Sequence, residues 1–170
     1  GGVRHQYGHV IDILPTTLAL AHAEIPDKIN GYKQEAIEGH SLAYTVNNPD
    51  AASVHAVQYY EIAGVRSIYK DGWKAGTLHK AGTAFEQDVW ELYNLQEDFN
   101  ERIDLANKFP AKMVELQAVF DQEARKYNVY PLKDFSQIDL PGNRSAFGKH
   151  ESITLFPGAD HLVGVTNPLY

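Results

Sequence analysis

The chain has 170 residues, a net charge of −7, 44% hydrophobic and 22% charged residues, and no cysteine. That size and composition fit one globular domain, or a small subdomain with an extension, and argue against wholesale disorder. The acidic balance disfavours nucleic acid as a partner, and the missing cysteine removes disulfides, Cys-ligated zinc and a cysteine nucleophile while leaving the redox compartment unreadable.

The first segment, Gly1 to Glu24, reads as a loop followed by a helix. Val10, Ile11, Ile13, Leu14, Leu18 and Leu20 mix two periods, and Pro15 suits a first helical turn, where its missing N–H costs nothing. The helix is placed from about Pro15 to Ala23. Val10 to Ala23 is also the nearest approach to a membrane span, which needs ~18 apolar residues; Asp12, Pro15 and His22 interrupt it. It lacks the basic flank and cleavage pattern of a signal peptide. Because the first residue is Gly1 rather than Met, the sequence reads as cut from something longer or trimmed of a tag.

Ile25 to Pro49 reads as a long connection, punctuated by Pro26, Gly31, Gly39, Asn47, Asn48 and Pro49, with a short helical turn near Ser41 to Val46. Val54 to Leu95 is β-rich. His55 to Ile62 is a first strand, Ala63-Gly64 a turn, and Val65 to Tyr69 a second strand. Asp71-Gly72 is a hairpin signal before Trp73 to Leu78, and Val89 to Leu95 is a fourth strand. These predict an antiparallel meander of about four strands. Phe109 to Val129 predicts a helix, with Pro110 at its first position and Met113, Leu116, Phe120, Ala124 and Tyr127 along one face. Packing that stripe on the meander gives an α+β fold: a small antiparallel sheet with a C-terminal helix on it, an N-terminal helix, and an extended arm from Pro131 to Tyr170 that needs a partner surface. The densest positive charge, Arg125 and Lys126, shares the helix with Asp121 and Glu123.

Eight histidines invite a metal reading. His5, His9 and Asp12 have the spacing His-x3-His-x2-Asp, which on a helix would share a face and could ligate zinc. Gly8 between the histidines, and the lack of a Glu after His5, favour a structural or surface role. His55, His79, His150 and His161 have no partner at ligand spacing and read as solvated or core-edge rings. The nearest approach to a serine nucleophile elbow, Gly39-His40-Ser41-Leu42-Ala43, lacks the closing glycine. Asn143-Arg144-Ser145 matches a glycosylation triplet of the kind common by chance. Tyr59, Tyr60, Tyr69, Trp73, Trp90 and Tyr93 could form a stacking platform for a ligand, although strand aromatics more often serve as core or cross-strand pairs.

Four stretches carry a family resemblance. They are His9-Val10-Ile11-Asp12-Ile13-Leu14-Pro15-Thr16-Thr17-Leu18, then Ile29-Asn30-Gly31 through Ile37-Glu38-Gly39-His40-Ser41-Leu42. The third runs from Tyr60-Glu61 through Arg66 and Asp71-Gly72-Trp73-Lys74 to Ala75. The fourth is Trp90-Glu91-Leu92-Tyr93-Asn94-Leu95, followed by Asp98, Asn100 and Asp104-Leu105-Ala106. Their order, over roughly Val3 to Leu132, resembles the C-terminal part of formylglycine-dependent sulfatases of the alkaline-phosphatase-like superfamily, and the third stretch the bacterial arylsulfatase branch in particular.

The resemblance implies three regions: residues 1–53 ending the catalytic domain, 54–130 forming the C-terminal subdomain, and 131–170 linking towards a further domain. It implies a sulfuric ester hydrolase whose catalytic residues lie outside this chain. No Cys/Ser-x-Pro/Ala-x-Arg motif is present, nor the Asp-Asp and Asp-Asn pairs that bind the family's calcium. Formylglycine, calcium ligands and the upstream catalytic domain as partner are therefore expected upstream, with a sulfate ester as the substrate of the whole protein and this piece inactive by itself. Within the chain the expected roles are structural, or lining of the substrate mouth by His9, Arg66, Trp73 and Lys74, the two cations steering an anionic ester. The competing reading of Arg66 and Lys74 is as outward-alternating strand residues. Two alternatives stand beside this one: a non-catalytic binding module, and part of a related phosphodiesterase or phosphonate hydrolase. A bacterial source would place the protein in the periplasm or cytoplasm.

Overall fold

A computed structural model describes residues 2–134 and 136. The glycosylation triplet, His150, His161 and nearly all of the expected C-terminal arm lie outside the described residues. The fold is α+β, with a two-stranded and a four-stranded antiparallel sheet and a helix near each end.

The first helix, α1 (Ile13–Ala21), follows a single 3-10 turn at Val10–Asp12. It begins two residues before Pro15, which lies in its first turn as expected. Thr16 and Thr17 hydroxyls donate back to the Asp12 and Ile13 carbonyls. It ends where His22 takes a left-handed conformation and the Ala23 N–H returns to the Leu18 carbonyl. The connection that follows holds a hairpin missed by the sequence reading: β1 (Lys28–Ile29) and β2 (Tyr32–Lys33) meet across Asn30-Gly31, both at positive φ. Asn-Gly is the dipeptide such a two-residue turn favours. A 3-10 turn at Ala43–Thr45 falls inside the helical turn expected at Ser41 to Val46.

The main sheet is a meander of β3 (Val57–Ile62), β4 (Val65–Lys70), β5 (Trp73–Thr77) and β6 (Trp90–Asn94), in that spatial order. Tight turns at Ala63-Gly64 and Asp71-Gly72, all four residues at positive φ, set its first two registers. One row crosses the sheet as Tyr59, Ile68, Ala75 and Leu92. Helix α2 (Pro110–Lys126) lays Met113, Leu116, Phe120 and Ala124 on that row, making the core. The link from β6 to α2 is pinned by Asp104, whose Oδ1 accepts the N–H groups of Leu92 and Ala106.

Side chains alternate across a strand, so the sheet has a second face, carrying Gln58, Tyr60, Ser67, Tyr69 and Lys74. The N-terminal segment lies against it: Tyr7 stacks on Tyr69 at 3.7 Å and shares a hydrogen bond with Tyr60. The strand aromatics form no continuous platform. Tyr59 and Tyr127 stack beside the core, Trp90 meets Phe120 and Trp73 meets Phe109, while Tyr60 and Tyr69 belong to the other face.

Candidate functional site

Asp12 is the centre of a buried polar assembly. It ends the 3-10 turn before α1 and is 1% exposed. Its Oδ2 accepts the His9 backbone N–H at 2.8 Å and its Oδ1 that of His40 at 2.7 Å. The His55 Nδ1, on a residue 2% exposed, lies 3.0 and 2.8 Å from the two oxygens. Burial by itself would raise the Asp12 pKa; the His40 and His9 N–H groups and the His55 ring outweigh it and hold the carboxyl below its ordinary value. One side chain thus ties the start of α1, the irregular segment at Gly39-His40 and the entry to β3.

Gly39 is required there. A Cβ would fall 2.1 Å from the Ile11 carbonyl oxygen, so only glycine lets the two backbones approach. Thr16 adds a second tie, its hydroxyl accepting the Leu42 N–H at 2.8 Å. Aromatic rings enclose the cluster: His40 lies 4.9 Å from His55, His9 lies 5.4 Å from Tyr60, and Tyr7 meets the edge of His55 at 5.2 Å. Burial first, and then the Tyr60 hydroxyl, push the Tyr7 phenol up.

The cluster opens on a groove of about 1210 Å³ that runs along β3, bounded by residues 37–40 and the C-terminal turn of α2, with Glu38, Glu61, Glu123 and Lys126 on its walls. Among the described residues β3 is an edge strand of the main sheet. A buried charged cluster includes Arg66, which also lines this groove. Arg66 bonds to Asp88 and lies over the rings of Phe85 and Trp90, and His79 sits between Asp88 and Asp134.

Of the four residues expected at a substrate mouth, His9 and Arg66 line the groove, and Trp73 and Lys74 are not among its lining residues. Arg66 is buried on the α2 side and paired with Asp88, so the outward-alternating reading does not describe it. Trp73 packs on Phe109 with Lys112 over its ring, and Lys74 reaches Glu101 at 2.7 Å. The expected grouping of His5, His9 and Asp12 fails for a local reason: helical structure begins only at Val10, so His5 and His9 share no helix face with Asp12. The reading of His55 and His79 as solvated or core-edge rings also needs correction. Each is held by carboxylates from distant segments. Spacing could not reveal partners 43 and 55 residues away; only the Asp-x-x-Pro-Thr signature marked Asp12 itself.

Solved structures align with part of this chain at low identity. BT4656, in complex with its substrate D-glucosamine-2-N,6-O-disulfate, aligns with a TM-score of 0.49 and 20% identity over 71% of this chain and 24% of that one. Ps i-CgsB aligns with a TM-score of 0.47 and 19% identity over 66% of this chain and 23% of that one. A structure reported for the metabolism of multiple glycosaminoglycans by Bacteroides thetaiotaomicron aligns with a TM-score of 0.46 and 19% identity over 65% and 24%. The chain spans about a quarter of the length of these proteins. No protein-family model matches it.

Proposed function

We propose that this chain is the C-terminal portion of a sulfatase, of the arylsulfatase kind, and that the chemistry resides in an upstream catalytic domain. The observation that carries the reading is the course of the fourth resemblance stretch. Trp90-Glu91-Leu92-Tyr93-Asn94 forms the last sheet strand, Asp98 then caps the N–H groups of Arg102 and Ile103, and Asp104 returns to Leu92 before the closing helix. That is the order the resemblance implies: strand, turn, closing helix.

Helix α1 supports the same reading. It is apolar around its circumference, yet none of its residues is buried, and Ile13, Leu14 and Leu20 remain 63%, 53% and 57% exposed. A helix of this kind belongs inside a larger body, and an upstream catalytic domain would provide the cover. In this arrangement His9 and Arg66 are the mouth candidates placed to face a substrate, since both line the open groove, Arg66 while paired with Asp88. Trp73 and Lys74 act by fixing the sheet, each being engaged by a partner within the chain.

The described residues do not fit the calcium site of the whole enzyme. The group among them able to hold a metal is Asp12 with His40 and His55, which is nitrogen-rich, whereas calcium takes six to eight oxygens. In this reading calcium and the formylglycine nucleophile belong to the upstream domain.

The test is to read the gene upstream of Gly1 and assay its full product, with calcium, on an aryl sulfate and on a sulfated glucosamine. A Cys/Ser-x-Pro/Ala-x-Arg motif, with sulfate release abolished on replacing its first residue, is the expected result. A full product without that motif, or one that cleaves phosphodiesters and leaves sulfate esters intact, would overturn the proposal.

A further inference from the structure

The Asp12 cluster poses a problem of hydrogen-bond donors. The Gln58 side-chain amide is oriented by its own neighbour: Nε2 donates to the Tyr59 carbonyl at 2.7 Å. Its Oε1 therefore faces the His55 Nε2 at 3.1 Å, and that nitrogen must carry a hydrogen. A neutral imidazole has one N–H. With it on Nε2, the bare lone pair of Nδ1 would point at the two Asp12 oxygens, 3.0 and 2.8 Å away. Acceptors do not face one another at that distance in a buried place without a positive charge between them. The charge is either a second proton on His55 or a metal ion.

Three observations favour a metal. The donor atoms of Asp12, His40 and His55 all lie within 4.8 Å of one another. Ligands about 2.0–2.2 Å from a zinc-like ion stand roughly 3.4 Å apart, so Asp12 and His55, 2.8 and 3.0 Å apart, would separate slightly and His40, being exposed, would move to meet them. The surroundings also hold the ligands as metal sites do. Gln58 fixes which His55 nitrogen is bare, and the His9 and His40 N–H groups orient the carboxylate. Finally, His9 Nδ1, whose residue abuts His55 and Tyr60, is buried and makes no hydrogen bond among the described residues.

We infer that Asp12, His40 and His55 form a binding site for a divalent transition metal of the zinc class. Its mixed nitrogen and oxygen donors suit such an ion and not calcium or magnesium. Three protein ligands leave a fourth position, as open zinc sites do, and here it faces the groove along β3. Water or an anionic oxygen of a ligand would occupy it. The inference rests on geometry within this chain and is independent of the sulfatase reading.

The test uses the 170-residue chain and the metal ion alone. Zinc is titrated against a chromophoric chelator and cobalt(II) is followed by its visible bands. The expected result is one equivalent of each metal bound, with the intense cobalt absorption of a four-coordinate site. His55→Ala removes a buried side chain and risks unfolding, so His40→Ala, at an exposed ring, is the deciding variant. It is expected to lower zinc affinity at least ~10-fold with an unchanged circular dichroism spectrum. Lys126→Ala, across the groove, is expected to leave the affinity unchanged. Absence of saturable binding overturns the inference. So does binding by His40→Ala as strong as that of the parent chain, which would place the metal elsewhere.

Discussion

The two faces of the main sheet are held by different physics. On one, α2 presses Leu116, Phe120 and Ala124 onto Ile68, Ala75 and Leu92, and all six are within 2% of full burial. Contacts there are short-range dispersion and excluded water, with no direction beyond packing. On the other face the first fifty residues attach through hydrogen bonds that converge on Asp12 and through stacked tyrosine rings. The first face resists deletion of volume by spreading the loss over many neighbours. The second has one polar hub, so loss of that hub should release a whole segment while leaving the rest folded.

Leu116→Ala should have the largest effect. It empties the centre of the core and is expected to cost about 4 kcal/mol of global stability, read as a lower urea midpoint for every probe at once. Asp12→Ala tests the other face. It leaves two partly buried N–H groups and the buried His55 ring without their acceptor, at a cost of roughly 3 kcal/mol. Hydrogen exchange should show that cost concentrated in residues 7–45, with protection in α2 retained. Equal loss of protection in both regions would break the distinction between the faces.

That contrast also explains what could be read from the sequence. The sheet and α2 declare themselves through local pattern. Alternating strands, the Ala63-Gly64 and Asp71-Gly72 turns and the Met113 to Ala124 stripe each sit within a few residues of their partners, and strand ends moved by no more than two residues. His55 is an instance of the residual error: it reads as the first residue of a strand, yet β3 begins at Val57 because the His55 ring is drawn to Asp12. The hub itself is assembled from positions 12, 40 and 55. No periodicity links such positions, and only the folded chain shows that they meet. The small hairpin at Asn30-Gly31 is a different case: its turn signal was present, but strands of two residues leave no alternation to detect.

Gly64 marks the place where the hairpin between β3 and β4 meets the loop after β5. Its φ is +89°, and a Cβ would stand 2.7 Å from a Phe85 ring carbon and 2.9 Å from the His79 ring. Gly64→Ala is therefore expected to cost about 1–2 kcal/mol through backbone strain, with a further loss from displacing Phe85. The measurement is a urea midpoint beside that of Gly31→Ala, whose φ is also positive but whose Cβ would meet nothing. Equal costs would mean that contact with Phe85 and His79 contributes nothing.

Acid should act on carboxylates in proportion to how firmly each is held. The Gly82 N–H, then the Ser136 hydroxyl, keep Asp134 well below the ordinary carboxylate value. A depressed folded value means stabilisation that is complete above the unfolded value and lost as pH falls through the folded one. Asp134→Asn should lower stability at pH 7, and its difference from the parent chain should shrink below about pH 4. The same sign holds for Glu115, pushed down to about 2 by Lys112 and then Lys70, so its contribution should fade between pH 4.5 and pH 2. Here, however, the carboxylate and both ammonium groups are about one-third exposed, and water and salt screen them. Glu115→Gln is accordingly expected to have the smallest effect, a shift in midpoint that vanishes when salt is raised to 1 M. A salt-resistant shift would show that the Lys70–Glu115 pair belongs to the dry α2 face and not to its rim.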